Sequence, residues 1–157
     1  MTVQKYEFLY LRTNEKMSWM QKDTSKKSGC GFFCIFAVMN IEEYRDYCLS
    51  LGEGIEEKFP FTKFKHGEGV LVFYVCGHMF SFFDCDDFKV ISLKCQPERI
   101  EKLKAEHPSI GNPFNESPKH WIGIDPNTAP DALLEELTRN SYEIVKAKYS
   151  KTINKNK

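Results

Sequence analysis

VLVFYVCGHMFSFF, residues 70–83, decides the fold. Val70–Cys76 is apolar throughout and reads as a strand. Gly77-His78 fits a two-residue hairpin loop with glycine first, a type II′ turn, and MFSFF (79–83) returns. Strands joined by so short a link run antiparallel. DCDD (84–87) is a polar turn, and FKVISLKC (88–95) reads as the third strand of a meander. Upstream, FPFTKF (59–64) reads as a short edge strand broken by Pro60, with KHGEG (65–69) as the turn between.

Helical patterns flank this meander. Asn40 with Glu43 three residues on has the form of a capping box, and Met39 and Tyr44 occupy the positions of a hydrophobic staple. Ile41, Tyr44, Tyr47, Cys48 and Leu51 then share one face, while Glu42, Glu43, Arg45 and Asp46 face away. Gly52 and Gly54 stop the helix. Pro97 opens a second helix with Ile100, Leu103 and the stem of Lys104 inward, and Pro108 ends it. Residues 108–119 form a long, proline-rich loop, and loops of that length in compact domains are often functional. Trp121–Asp125 is a last strand. Thr128 and Asp131 mark the start of a final helix with Leu134, Leu137, Ser141, Ile144 and Val145 inward.

The expected fold class is therefore α+β, in two layers. An antiparallel sheet carries its helices on one face, in the order α-β-β-β-β-α-β-α. Strict alternation assigns the two faces. Phe80, Phe82, Ile91, Leu93, Ile122 and Ile124 are expected under the helices. Met79, Phe83, Phe88, Val90 and Trp121 fall on the other face, beside Ser81, Ser92 and Lys94. They make a candidate interface, because a large bare apolar patch marks a docking surface. Loop 108–119 or residues 1–38 lying across that face is the competing expectation.

Three regions divide the chain: an N-terminal extension at 1–38, a domain at 39–149 and a basic, disordered tail at 150–157. The extension is read as an appendage, an upstream stretch of reading frame or a reversible anchor. Its apolar run, 29–39, is shorter than the ~20 residues that cross a bilayer, and no A-x-A cleavage site follows it. No membrane association is expected for the domain. The net charge of zero hides an uneven distribution: the first 38 residues carry +3, residues 39–149 carry −6 and the last eight carry +3. An acidic domain repels phosphate backbones unless its cations gather on one face. Six cysteines without a C-x-x-C pair read as free thiols in a reducing cytoplasm. Cys76, His78 and Cys85 lie at opposite ends of one strand, too far apart to share a zinc ion.

The segments NIEEYRDYCLSLGEGIEEKFPF, SLKCQPERIEKL, HPSIGNPFNESPKHWIGID and LLEELTRNSYEIVKAKY follow one another in an order and spacing that resembles the MmcQ/YjbR family over residues 39–149. The resemblance implies a bacterial, cytoplasmic protein. Its fold would be like that of CyaY, frataxin and the type III secretion chaperones, and its role that of a DNA-binding protein with a "double-wing" motif. No catalytic residues, cofactor or metal come with it, and G-x-S-x-G, H-E-x-x-H and phosphate-loop motifs are missing, so a non-enzymatic protein is expected. For nucleic acid the candidate contacts are Lys63, Lys65, Lys89, Lys94, Lys119, His120 and Trp121, cations for phosphate and the indole for an unpaired base. The alternative is a protein partner or a homodimer seated on the open sheet face. Metal or iron handling by Glu42, Glu43, Asp46, Glu53, Glu56 and Glu57 is a third reading, by fold analogy.

Overall fold

The computed structural model describes residues 38–65 and 67–153, with side-chain burial to Ser150. The expectations for residues 1–37, including Cys30 and Cys34, and for 154–157 lie outside the described residues. The elements are α1 (Ile41–Ser50), β1 (Glu56–Lys58), β2 (Val70–Val75), β3 (His78–Asp84), β4 (Ile91–Lys94), α2 (Pro97–Glu106), β5 (Ile110–Gly111), β6 (Trp121–Ile124) and α3 (Asp131–Ile153). Six strands form one sheet in the order β1-β2-β3-β4-β6-β5, and every neighbouring pair is antiparallel. The fold class is the α+β arrangement read from the sequence, with one strand more. β5 lies inside the loop expected at 108–119 and is too short to leave an alternating pattern.

Helix α1 begins as its sequence dictates. The Asn40 side chain accepts from the Glu43 N–H at 3.0 Å, and the Asn40 N–H donates to the Glu43 carboxylate at 2.9 Å. Met39 is buried, and its N–H donates to the Asp131 carboxylate at 3.1 Å, tying the chain's entry to the start of α3. Arg45, on the outer face by pattern, reaches Glu57 of β1 with two hydrogen bonds of 2.7 and 2.6 Å. Gln96 and Asn140 exchange side-chain hydrogen bonds of 3.2 and 3.1 Å, joining the start of α2 to α3.

All three described helices pack on one side of the sheet. Tyr44 and Cys48 of α1, Ile100 and Leu103 of α2, and Leu134, Leu137, Tyr142 and Val145 of α3 share a buried cluster with Phe73, Phe80, Phe83, Ile91, Leu93, Ile122 and Ile124. A separate cluster of Val70, Val72, Phe82 and Trp121, flanked by Phe61, Tyr74 and Met79, contains no helical residue. Two layers, with no described helix on the second sheet face, are thus as expected, but the face assignment needs correction at four residues. Phe82 lies on the open face, while Phe83, Phe88 and Ser81 lie under the helices. The cause is a bulge: Phe73 pairs with Ser81 but Tyr74 with Met79, leaving Phe80 as an extra residue. Phe80 and Ser81 then both face the helices, and the residues of β3 after them are out of phase with strict alternation. Phe88 precedes β4 rather than belonging to it, and its ring sits 4.9 Å from Phe83 and 6.4 Å from Tyr44.

Three boundaries also differ. The hairpin loop is Cys76-Gly77, one residue earlier than expected. Both residues have positive φ (53° and 75°), which makes it type I′-like rather than II′. The first strand is Glu56–Lys58, not 59–64, because Pro60 offers no ladder donor and the chain turns round the sheet edge there. Phe59 joins the helix-side cluster and Phe61 the open-side one. Finally, α3 continues to Ile153, so the first residues of the expected disordered tail are helical. Its inward stripe also includes Thr138 and Tyr142, both buried, while Ile144 is half-buried.

The core contains one polar knot. The Tyr44 hydroxyl meets Ser81 Oγ at 2.7 Å and Thr138 Oγ1 at 3.1 Å, and Thr138 donates onward to the Leu134 carbonyl at 2.7 Å. Beside it, burial pushes the Cys48 thiol from 9.0 up to about 12, against the lowering effect of hydrogen bonds to Tyr44 and Ser81. The folded protein keeps a proton that the unfolded thiol releases above pH 9, so this contribution is complete below pH 9 and is lost as pH rises toward 12. Burial raises the Tyr44 hydroxyl as well, with the same sign. Stability should fall above pH 9, with Cys48 contributing about 1 kcal/mol per pH unit. Urea midpoints across that range should decline less steeply in Cys48→Ala; an unchanged slope would refute the assignment.

Candidate functional site

Across the open face, one row of the sheet runs Val72, Phe82, Ser92, Gly123, Gly111 by register. Side-chain bulk falls away along that row, from valine and phenylalanine to serine and glycine. Loop 111–116 crosses where the bulk is gone. The Phe114 N–H donates to Ser92 Oγ at 3.0 Å, and Lys104 of α2 holds Asn112 Oδ1 at 3.0 Å. A Cβ at Gly123 would collide with the Asn112 carbonyl and lie 2.9 Å from Val90 Cγ1, so only glycine lets the loop pass this close.

At the other end of the row nothing described lies across the sheet. A cleft of about 390 Å³ opens there, lined by Val70, Met79 and Phe82 of the strands, Phe61, Phe64, Lys65 and Gly67 of the turn after β1, and Phe114, Asn115 and Glu116 of the crossing loop. Its two rims are built locally. Successive turns close from the Phe64 N–H to the Phe61 carbonyl (2.9 Å), Gly67 to Phe64 (2.9 Å) and Val70 to Gly67 (3.2 Å). Phe64 is held outward, 65% exposed, with Lys63 and Lys65 exposed on either side. On the second rim Phe114 is 38% exposed and Asn115 has a positive φ of 52°, a conformation asparagine tolerates better than most residues. Among the described residues, loop 108–119 covers the β4–β6 end and the β2–β3 end is an apolar recess; the expectation that the N-terminal extension covers this face lies, for residues 1–37, outside the described residues.

The residues singled out from sequence divide accordingly. Lys65 and Met79 line the cleft. Lys63, Lys119 and His120 are exposed, the last two in the loop that supplies the second rim, and no described residue forms an ion pair with Lys63, Lys65 or Lys119. Lys89 is paired with Asp87 at 2.6 Å. Trp121 is on the open face as expected but only 5% exposed, its ring edge-on to Phe82 at 5.4 Å. Lys94 lies 5.2 Å over that indole, and burial there lowers its pKa. Trp121 and Lys94 therefore engage each other and leave no indole face for a base. Val90 is half-buried on this side, against Gly123. Phe83 is removed from the interface set by the bulge and Phe88 by its position ahead of β4. Phe64 and Phe114, the exposed phenylalanines among the described residues, were not among the candidates. The available signal was a bulky aromatic in each of two turn-rich segments where no core periodicity calls for one.

A family model described as YjbR matches residues 49–144. The chain belongs to the YjbR family. That match lies within the 39–149 span of the sequence resemblance and includes the cleft and both its rims. Among solved structures, protein DR2400 of Deinococcus radiodurans, described as carrying domain DUF419, is 33% identical, with a TM-score of 0.60 over 69% of this chain and 80% of its own. A structural-genomics protein from Pseudomonas syringae is 21% identical, with a TM-score of 0.57 over 68% of this chain and 99% of its own, and shares the fold. A comparison with curated proteins finds no match. In this YjbR domain no described helix is long and apolar enough to cross a membrane, and no three described His, Cys, Asp or Glu residues are grouped to hold a metal ion.

Proposed function

We propose that this YjbR protein binds nucleic acid, without covalent chemistry, through the open face of its sheet. The observation that carries this reading is Lys63-Phe64-Lys65, an exposed ring between two exposed ammonium groups at the rim of an apolar cleft. Alternating aromatic and cationic side chains suit a chain that alternates bases with phosphates. Lys119 extends the cationic character along the second rim's loop, with the exposed His120 imidazole beside it. The described lining has Lys65 and Glu116 as its ionisable groups, with no serine, cysteine or histidine beside them to act as nucleophile or base. The −6 charge of residues 39–149 makes the expected binding weak and steeply salt-dependent. Fluorescence anisotropy of labelled DNA and RNA across a salt series should show binding at about 50 mM salt that is lost by about 200 mM. A flat baseline at the lowest salt would reject the reading.

A protein partner, or a second copy of the chain, is the competing reading. The specific observation in its favour is the apolar floor of Val70, Met79 and Phe82. Sedimentation of the full chain over a concentration series tests it, and a monomer throughout would remove self-association.

A further inference from the structure

We infer that the cleft is a pocket for one unpaired nucleobase carrying an exocyclic amino group, so that single strands are preferred to duplex; this rests on the nucleic-acid reading above. At about 390 Å³ the cleft lies at the small end of small-molecule sites, which run from ~300 to ~1,000 Å³. Its lining is sorted by chemistry. The strands supply an apolar floor. Phe64 and Phe114 stand exposed on two separately anchored rims, where a planar ring can stack. The polar residues of the described lining are few and different in kind: Lys65 on one rim, Asn115 and Glu116 on the other.

Those three groups fix what can enter and which way round. A phosphate is drawn to Lys65 and repelled by Glu116, so the backbone belongs on the Lys65 side and the base edge on the other. A carboxylate accepts hydrogen bonds and donates none, so it rewards the amino groups of cytosine, adenine or guanine. Asn115 adds a donor and an acceptor, and its place in the left-handed region sets the turn that brings it to the cleft. Thymine and uracil lack an amino group and offer the Glu116 carboxylate only the ring N3–H, one donor where an amino-bearing base offers more. Duplex DNA keeps its bases stacked inside and would offer this recess nothing unless a base were extruded.

The test uses the full chain and labelled strands of about 12 nucleotides, oligo-dC, oligo-dA and oligo-dT, beside a mixed duplex of equal length. Oligo-dC or oligo-dA should bind about tenfold or more tighter than oligo-dT and the duplex. Phe64→Ala with Phe114→Ala should cost the amino-bearing strand about tenfold or more and the duplex a much smaller factor. Glu116→Gln should narrow the margin over oligo-dT. Phe64 and Phe114 are exposed and Glu116 is half-buried, and circular dichroism verifies that the variants fold. Equal binding of strands and duplex, indifferent to the phenylalanine substitutions, would overturn the base pocket and leave nucleic-acid binding standing. No binding of any probe, with self-association that the same substitutions abolish, would overturn both and assign the cleft to a second copy.

Discussion

Replacing Tyr44 with alanine is expected to remove about 4–6 kcal/mol of stability, enough to unfold much of the population of a typical domain. The ring is fully buried between α1 and the sheet, edge-on to Phe83 at 5.7 Å and to Phe73 at 6.5 Å. Truncation leaves a cavity there, at about 3–5 kcal/mol for an aromatic ring. It also strips Ser81 Oγ, itself fully buried, of its 2.7 Å partner, for about 1 kcal/mol or more. Tyr44→Phe keeps the packing and loses only the hydroxyl knot, so about 1–3 kcal/mol is expected. Urea unfolding of both variants separates the two contributions. A loss below about 1 kcal/mol for Tyr44→Ala would mean that α1 is not packed on the sheet as described.

The second large effect is on binding. Reversing Lys63 and Lys65 together to glutamate should weaken single-strand binding about 30-fold at low salt, taking about 1 kcal/mol for each exposed phosphate contact. The slope of log affinity against log salt should fall by about 1.4, because two fewer phosphates are neutralised on a single strand. Both side chains are exposed and belong to no described ion pair. Folding stability should therefore move by no more than about 0.5 kcal/mol, which separates lost contact from lost structure. Lys89→Glu serves as an internal control. Its ammonium already answers Asp87, and it lies outside the cleft lining, so its effect on binding should be much smaller. Equal losses from Lys89→Glu and from the Lys63/Lys65 pair would indicate diffuse attraction rather than a rim.

Much of the fold was legible because the chain states it locally. Asn40 and Glu43 announce α1 by their own chemistry, Pro97 announces α2, and the tight link near Gly77 forces antiparallel pairing whichever two residues form the loop. What failed did so where long-range geometry overrides a local pattern. The bulge at Phe80 is invisible in MFSFF, since five consecutive residues that are almost all apolar fit either phase. That one residue inverted Phe82 and Phe83 and with them part of the predicted interface. Trp121 was placed on the correct face, but its edge-on contact with Phe82 and its pairing with Lys94 depend on the register of β4 with β6. The site was less legible still. Its exposed rings sit in irregular segments, and the loop that carries Phe114 finds its path only because Ser92 and Gly123 line up across two strands.

The claim on which the function depends is that ligand meets the sheet's open face at the cleft, away from the helices. Backbone amide shifts of the isotope-labelled full chain, recorded during titration with a short single strand, test it most directly. Perturbations should concentrate at Phe61–Lys65, Met79–Phe82 and Phe114–Trp121, with α1 and the outer face of α3 silent. Shifts centred on Glu42, Asp46 and Glu136, with Phe64 and Phe114 unmoved, would contradict it.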